Sequence, residues 1–116
     1  MTRTPRPGAP VRGSRTGRPI MAALDLLGRR WALRLLWELH AGPVGPRALL
    51  SRCEGLSSSV LYQRLAELGD AGLVARTEAG YALTALGADL VRALGPLDAW
   101  SERWSRALED PGAREG

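Results

Sequence analysis

The chain has 116 residues, enough for one domain with a modest core and too few for two. All 16 basic residues are arginines. Five of these arginines and no acidic residue lie in residues 1–19. The rest of the chain contains 11 arginines and 12 acidic residues, so its net charge is close to zero. One cysteine excludes an intramolecular disulfide and a cysteine-based metal site, and no apolar run reaches the roughly 18 residues of a membrane span. We therefore predict a cytoplasmic protein with no cofactor, no metal ion and no membrane partner.

Residues 1–19 are predicted to form a disordered tail. The segment contains four prolines and three glycines and has too little apolar surface to bury. Two interpretations remain open: a basic arm that follows DNA phosphates and raises encounter rates, or an inert tail. At the other end, residues 111–116 are expected to fray, which leaves residues 20–110 as the folded domain.

Two helices are predicted after the tail. Apolar residues recur at helical spacing over residues 20–27, and a glycine then interrupts the pattern. In the next stretch, RRWALRLLWELHAG, the side around Leu35 is apolar, and Leu33 with Trp37 makes the opposite side apolar as well. Because a helix that is apolar on two sides packs between other elements, this segment is predicted to be the central helix.

The second half of the chain has the element order of a winged helix-turn-helix. A short helix at 46–53 and a turn precede a helix that begins with three serines and runs to about residue 71. Strands are predicted at 73–76 and 81–83, and two further helices follow. The predicted fold class is mostly α with a small β-hairpin, a winged helix-turn-helix with dimerisation helices at its N and C termini.

The serine-led helix is predicted to read DNA. In a helix-turn-helix, the first turns of the second helix enter the major groove, and Gln63 has the donor and acceptor needed to bind adenine bidentately. Ser57 is the best N-cap candidate, because its hydroxyl can accept from a backbone N–H of the first turn. Arg64 is half turned to the core, so an internal ion pair and a phosphate contact both remain open. The predicted DNA-binding residues of this segment are Ser57, Ser58, Ser59, Tyr62, Gln63 and Arg64.

Further arginines flank this helix and are predicted to contact phosphates. Arg47 and Arg52 lie on the preceding helix, and Arg76 lies on the hairpin. Such contacts supply affinity without sequence information. Glu67 and Asp70 would repel phosphates deeper in the groove, so only the first two turns of the helix are expected to insert.

The aromatic residues are four tryptophans and two tyrosines, with no phenylalanine. Trp31 is predicted to lie in the core. A second apolar set has three possible roles, which remain open. They are a dimer interface, a pocket for a flat aromatic effector, and plain packing within the chain. That set consists of Leu33, Trp37, Leu97, Trp100 and Trp104.

Several of these segments resemble HxlR-type bacterial transcription regulators, within the MarR-like superfamily. LDLLGRRW at 24–31 and LLWEL at 35–39 resemble the opening of that family, and YALT at 81–84 with Gly87 resembles its "YsLTelG" signature. The resemblance implies a DNA-binding transcription regulator. The family's frequent cysteine before the first helix is replaced here by Arg18-Pro19-Ile20, so redox sensing by that thiol is not implied, and the wing is shorter than usual.

Two functions are consistent with the sequence. The first is a homodimeric regulator that binds double-stranded DNA at a palindromic operator, with a small aromatic effector as a further partner. The second is a winged-helix protein-interaction module that uses the tryptophan-lined helical surface. Binding to random duplex DNA would weaken steeply with salt only in the first case. An enzyme is not predicted, because the sequence has no nucleophile–base pair, metal cluster or phosphate-binding loop.

Overall fold

The computed structural model describes residues 4–11 and 17–109 and has six helices and one hairpin in that part of the chain. In chain order the elements are α1 (Pro19–Leu27), α2 (Ala32–Glu38), α3 (Pro46–Arg52), α4 (Ser58–Asp70), β1 (Val74–Thr77), β2 (Gly80–Leu83), α5 (Ala85–Ala93) and α6 (Gly95–Glu109). The predicted fold class is confirmed. Residues 1–3, 12–16 and 110–116 lie outside the described residues, so disorder in those parts of the tail and fraying of the end stay predictions. Residues 4–11 of the tail are described, and Pro5 among them is buried.

The wing is a short antiparallel hairpin. Its register pairs Val74 with Leu83 and Thr77 with Gly80. The first strand therefore begins and ends one residue later than predicted. The shift follows from the two-residue turn, where the Thr77 hydroxyl donates to the carbonyl of Gly80 at 2.7 Å. Val44 adds a bridge to the hairpin, since its N–H and carbonyl each bond to Tyr81 at 2.9 Å. The segment before α3 is therefore tied to the wing.

The core lies where α2, α3 and α4 meet. Its fully buried side chains are Leu35, Leu36, Leu39, Leu49, Cys53, Leu61 and Leu68. α2 was predicted to be packed on both sides, but within this chain only one side is covered. Leu33 is 39% exposed and Trp37 is 46% exposed. Among residues 4–11 and 17–109, nothing covers this apolar outer face of the helix.

A tight junction joins the wing to α5. The Thr84 hydroxyl accepts from the N–H of Gly87 at 3.0 Å and donates to the carbonyl of Gly72 at 2.6 Å. A Cβ at position 87 would lie 2.0 Å from the carbonyl oxygen of Leu73, closer than any real contact. The Leu-Thr-x-x-Gly motif thus has a local explanation, because threonine caps the helix while glycine lets the Leu73 backbone approach.

Candidate nucleic-acid interface

Ser57 starts α4 as predicted. Its backbone is extended, and its hydroxyl accepts from the N–H of Val60 at 3.3 Å. The hydroxyls of Ser57 and Ser59 lie 3.3 Å apart, and Ser58 and Ser59 are both exposed. One serine therefore caps the helix, and the next two present small polar side chains at its tip.

The two sides of α4 differ sharply in burial. Leu61, Leu65 and Leu68 are at most 3% exposed and pack into the core. The outward side carries Ser59, Tyr62, Gln63 and Ala66, all exposed. Tyr62, at 50%, is an exposed large aromatic beside Gln63. This outward side, with Ser58 at the tip, is called the reading face below.

A buried ion-pair cluster holds α4 in place. The Glu67 carboxylate lies 3.2 Å from a guanidinium nitrogen of Arg29 and 3.2 Å from one of Arg64. The Nε of Arg64 also donates to the carbonyl of Arg30 at 2.8 Å. The three side chains are between 8% and 17% exposed. Of the two alternatives for Arg64, the structure has the internal ion pair.

The cluster anchors α4 at an unusual turn of the backbone. Arg29 and Arg30 belong to the connection between α1 and α2, where Trp31 has a φ of 76°. Glu67 was expected to face DNA phosphates, and that expectation is wrong because the carboxylate points inward to two arginines. The cluster therefore sets the orientation of α4 against the first two helices.

The arginines predicted to contact phosphate are exposed on the elements next to α4 in the chain. Arg47 lies on α3 and Arg76 on β1, and both are exposed. Arg52, at the end of α3, is 51% exposed and has a guanidinium nitrogen 3.7 Å from Glu38. Arg34 links α2 to this end of α3, because it pairs with Glu38 at 2.8 Å and donates to the carbonyl of Arg52 at 2.8 Å.

The second apolar set is exposed on two helices. The rings of Trp100 and Trp104 stack on α6 with centroids 5.5 Å apart, and Trp37 stacks on His40 at 4.5 Å. All five predicted members are between 39% and 53% exposed. Sequence reasoning missed that Ile20 and Leu24 on α1 are also exposed, at 59% and 58%. The sequence could have indicated this exposed apolar side. The two residues are four apart and lie on one side of a helix, while Ala22 and Leu26 on its other side are buried.

Cys53 is a buried part of the core. Its side chain is 0% exposed, and burial raises the pKa of the thiol, partly opposed by the nearby Arg34. The thiolate is the reactive form, and a raised pKa leaves less of it at neutral pH. The residue therefore packs as a small apolar side chain.

Taken together, these features define a winged helix-turn-helix DNA-binding protein in which α4, the second helix of the helix-turn-helix, presents a polar face. The model of the HxlR-like helix-turn-helix family matches residues 26–109. The chain belongs to this family of DNA-binding transcription regulators. Within the described residues, no helix is both long and apolar enough to cross a membrane.

Known relatives agree with this assignment. The chain is 30% identical over 89 residues to the HTH-type transcriptional regulator YvaP of Bacillus subtilis (strain 168), covering 71% of this chain and 82% of YvaP. It is similar to the quinone-bound YodB of B. subtilis, with a TM-score of 0.68, 28% identity, and coverage of 72% of this chain and 96% of YodB. A transcriptional regulator of the MarR family from Enterococcus faecalis V583 has a TM-score of 0.68 and 32% identity, covering 78% of this chain and 88% of the other.

Proposed function

We propose that this regulator acts in the cytoplasm as a homodimer on a palindromic operator, with one reading face in each of two successive major grooves. The observation that carries the proposal is the exposed set Ser59, Tyr62 and Gln63 on a helix held by a buried ion-pair cluster. A reading helix must keep its orientation, because base contacts tolerate little displacement. Helix-turn-helix dimers match two half-sites about one helical turn apart.

Base readout is assigned to Gln63. Its side-chain amide can donate to N7 and accept from N6 of one adenine, an arrangement that no other base pair offers in the major groove. Ser58 and Ser59 are small enough to let the helix tip approach the groove floor, and their hydroxyls can contact base edges or phosphate. Tyr62 flanks the same face, and its hydroxyl can donate a hydrogen bond to a phosphate of the DNA backbone.

Phosphate contacts are assigned to Arg47, Arg52 and Arg76, which flank α4 from α3 and the wing. The N-terminal backbone N–H groups of α4 add a further anion site, because the first turn of a helix has donors without intrahelical partners. Arg64 is left out of the contact set, since Glu67 and the carbonyl of Arg30 occupy its guanidinium.

Dimerisation is assigned to the exposed apolar faces of α1 and α6. These faces consist of Ile20, Leu24, Leu97, Trp100, Trp104 and Leu108, each between 47% and 59% exposed. Several large apolar side chains exposed along the faces of two helices favour an interface, since monomers rarely expose extended apolar patches. Large aromatic residues are common anchors of such interfaces.

A small aromatic effector is also proposed, as the alternative use of the exposed set Leu33, Trp37, Leu97, Trp100 and Trp104. The related YodB was crystallised with a quinone bound. In this chain the exposed indole rings provide flat apolar surfaces for stacking. Tryptophan fluorescence reports on such binding directly.

The first prediction concerns specificity. Replacing Ser59 and Gln63 together by alanine should weaken binding to a duplex selected by the wild-type protein by roughly 30-fold or more, since one bidentate base contact is lost in each half-site. Binding to random duplex should change little, and the far-ultraviolet circular dichroism should match wild type. Fluorescence anisotropy with both duplexes at one salt concentration measures these affinities.

The matched control for this test is the charge-preserving pair Glu102→Ala with Arg106→Ala. Both residues are exposed on α6, on the side away from the tryptophans. This control should bind the selected duplex like wild type. Equal loss of affinity for selected and random duplex in the Ser59→Ala, Gln63→Ala protein would show that the reading face supplies no specificity.

A second prediction concerns the dimer. Replacing Trp100 and Trp104 by glutamate should weaken self-association by roughly 100-fold or more, because buried aromatic anchors dominate interface energies and each is used twice in a symmetric dimer. Sedimentation velocity over a concentration series measures the equilibrium, with the Glu102→Ala, Arg106→Ala protein as control. A monomeric wild type, or a dimer unchanged by the glutamates, would contradict the assignment.

A further inference from the structure

A cavity of about 590 Å³ lies between α1, the end of α4 and α5, and no tryptophan is among its lining residues. Its walls are mostly apolar and include Ala22, Leu26, Leu73, Leu86 and Leu90. This volume falls within the range of small-molecule sites, which are typically lined by apolar side chains with a few polar groups. None of the five residues of the predicted effector set lines it, so it is a separate site.

A segment of the N-terminal tail closes one side of this cavity. Pro5, Arg6 and Pro7 belong to its lining, and Pro5 is buried. The guanidinium of Arg6 lies 2.9 Å from the Asp70 carboxylate at the end of α4. The N–H of Gly8 donates to the carbonyl of Gly17 at 2.8 Å, which folds the tail back toward α1. We call residues 5–7 the strap.

The strap is held by contacts that a ligand can replace. The side chains of Arg6 and Asp70 are 62% and 47% exposed, and exposed ion pairs contribute little net stability because water and salt screen them. The one buried residue of the strap is a proline with a small apolar ring. Displacing the strap therefore costs far less than opening the core.

The charges of the lining indicate which ligand fits. Asp70 and Asp89 are its acidic residues, and Arg6 is its only basic residue among those described. Once the strap is lifted, the remaining described lining residues include two carboxylates and no basic side chain. Asp89 pairs with Arg92 of its own helix, which leaves Asp70 as the carboxylate that loses its partner. An apolar body with one positive charge complements this lining.

We propose that the cavity binds small amphipathic cations, an apolar ring or chain bearing one protonated amine or guanidinium, and that Pro5–Arg6 competes with them as an internal mimic. The strap already presents an apolar ring to the cavity and a guanidinium to Asp70. This site does not depend on the proposed operator binding, because ligand binding is measured without DNA.

The test compares 4-phenylbutylamine with the neutral 4-phenylbutanol by isothermal titration calorimetry on the full chain. We expect the amine to bind more tightly than the alcohol. Arg6→Ala should tighten amine binding roughly two- to fivefold by removing the competitor, whereas Asp70→Asn should weaken it by a similar factor and leave the alcohol unaffected or slightly tighter. Arg103→Ala and Asp98→Asn, exposed positions outside the lining, are the matched controls and should change nothing.

A filled-cavity variant locates the site. Ala23→Trp places an indole in the cavity from α1 and should abolish amine binding while the circular dichroism stays that of wild type. Equal affinities for amine and alcohol, or amine binding unaffected by both Ala23→Trp and Asp70→Asn, would overturn the proposal. Absence of amine binding to the wild type would overturn it too. If Leu86→Glu then dissociates a dimer, the cavity is assigned to a second copy of the chain.

Discussion

Replacing Glu67 by alanine is expected to lower the free energy of unfolding by about 3–5 kcal/mol, because breaking a buried ion pair by removing one partner is strongly destabilising. Here the loss would leave both Arg29 and Arg64 without the carboxylate that lies 3.2 Å from each. Urea denaturation at fixed protein concentration measures the change, since the stability of a dimer depends on concentration.

Two further variants separate the ion-pair effect from the loss of a side chain. Glu102→Ala removes an exposed glutamate from α6 and should change stability by no more than about 0.5 kcal/mol. Glu67→Gln keeps the shape and one acceptor oxygen, so it should fall between the alanine variant and wild type. A Glu67→Ala loss below about 1 kcal/mol would mean that the cluster does not hold α4, since breaking such a pair costs several times more.

Replacing Gly87 by alanine is expected to destabilise the fold by about 3 kcal/mol or more, at the upper end for overpacking, because the new Cβ meets backbone. The atom would lie 2.0 Å from the Leu73 carbonyl oxygen, which also accepts from the N–H of Thr84 at 3.0 Å. Relief requires α5 to move away from the wing. Thermal and urea unfolding of the purified variant measure the loss.

The matched control is a second glycine-to-alanine substitution, which should change the stability in the opposite direction. Gly69 is a helical glycine of α4, exposed, and a Cβ there would make an ordinary contact of 3.6 Å with the Val74 carbonyl. Gly69→Ala should therefore stabilise the protein by up to about 1 kcal/mol through helix propensity. If both alanine substitutions moved stability in the same direction, the close approach of Leu73 to Gly87 would not be a packing constraint.

Local patterns were sufficient to predict the elements and the two sides of α4. Leu61, Leu65 and Leu68 recur at helical spacing, so a wheel alone identifies the buried side. The cap at Ser57 follows from side-chain chemistry and position in the same way. The first strand of the wing lies one residue later than predicted and the second begins one residue earlier, because the turn and the pairing of Thr77 with Gly80 set the register.

Contacts between distant segments could not be predicted in this way. Helical spacing gave no sign that Glu67 points inward, because its partner Arg29 lies far away in the sequence, in the connection between α1 and α2. The cavity was missed for the same reason, since it forms where Pro5, α1 and α5 meet. For Arg64 the pattern left two alternatives, and the positions of the Glu67 carboxylate and the Arg30 carbonyl decided between them.

The most direct measurement of DNA reading by this chain is selection of bound sequences from a random duplex pool by the full-length protein. Wild type should enrich an inverted repeat whose half-sites are centred about one helical turn apart, with an adenine at one position in each half. The Gln63→Ala protein should lose the preference at that position and keep the spacing. Enrichment of no motif by wild type, or of an unchanged motif by Gln63→Ala, would contradict recognition of an operator through α4.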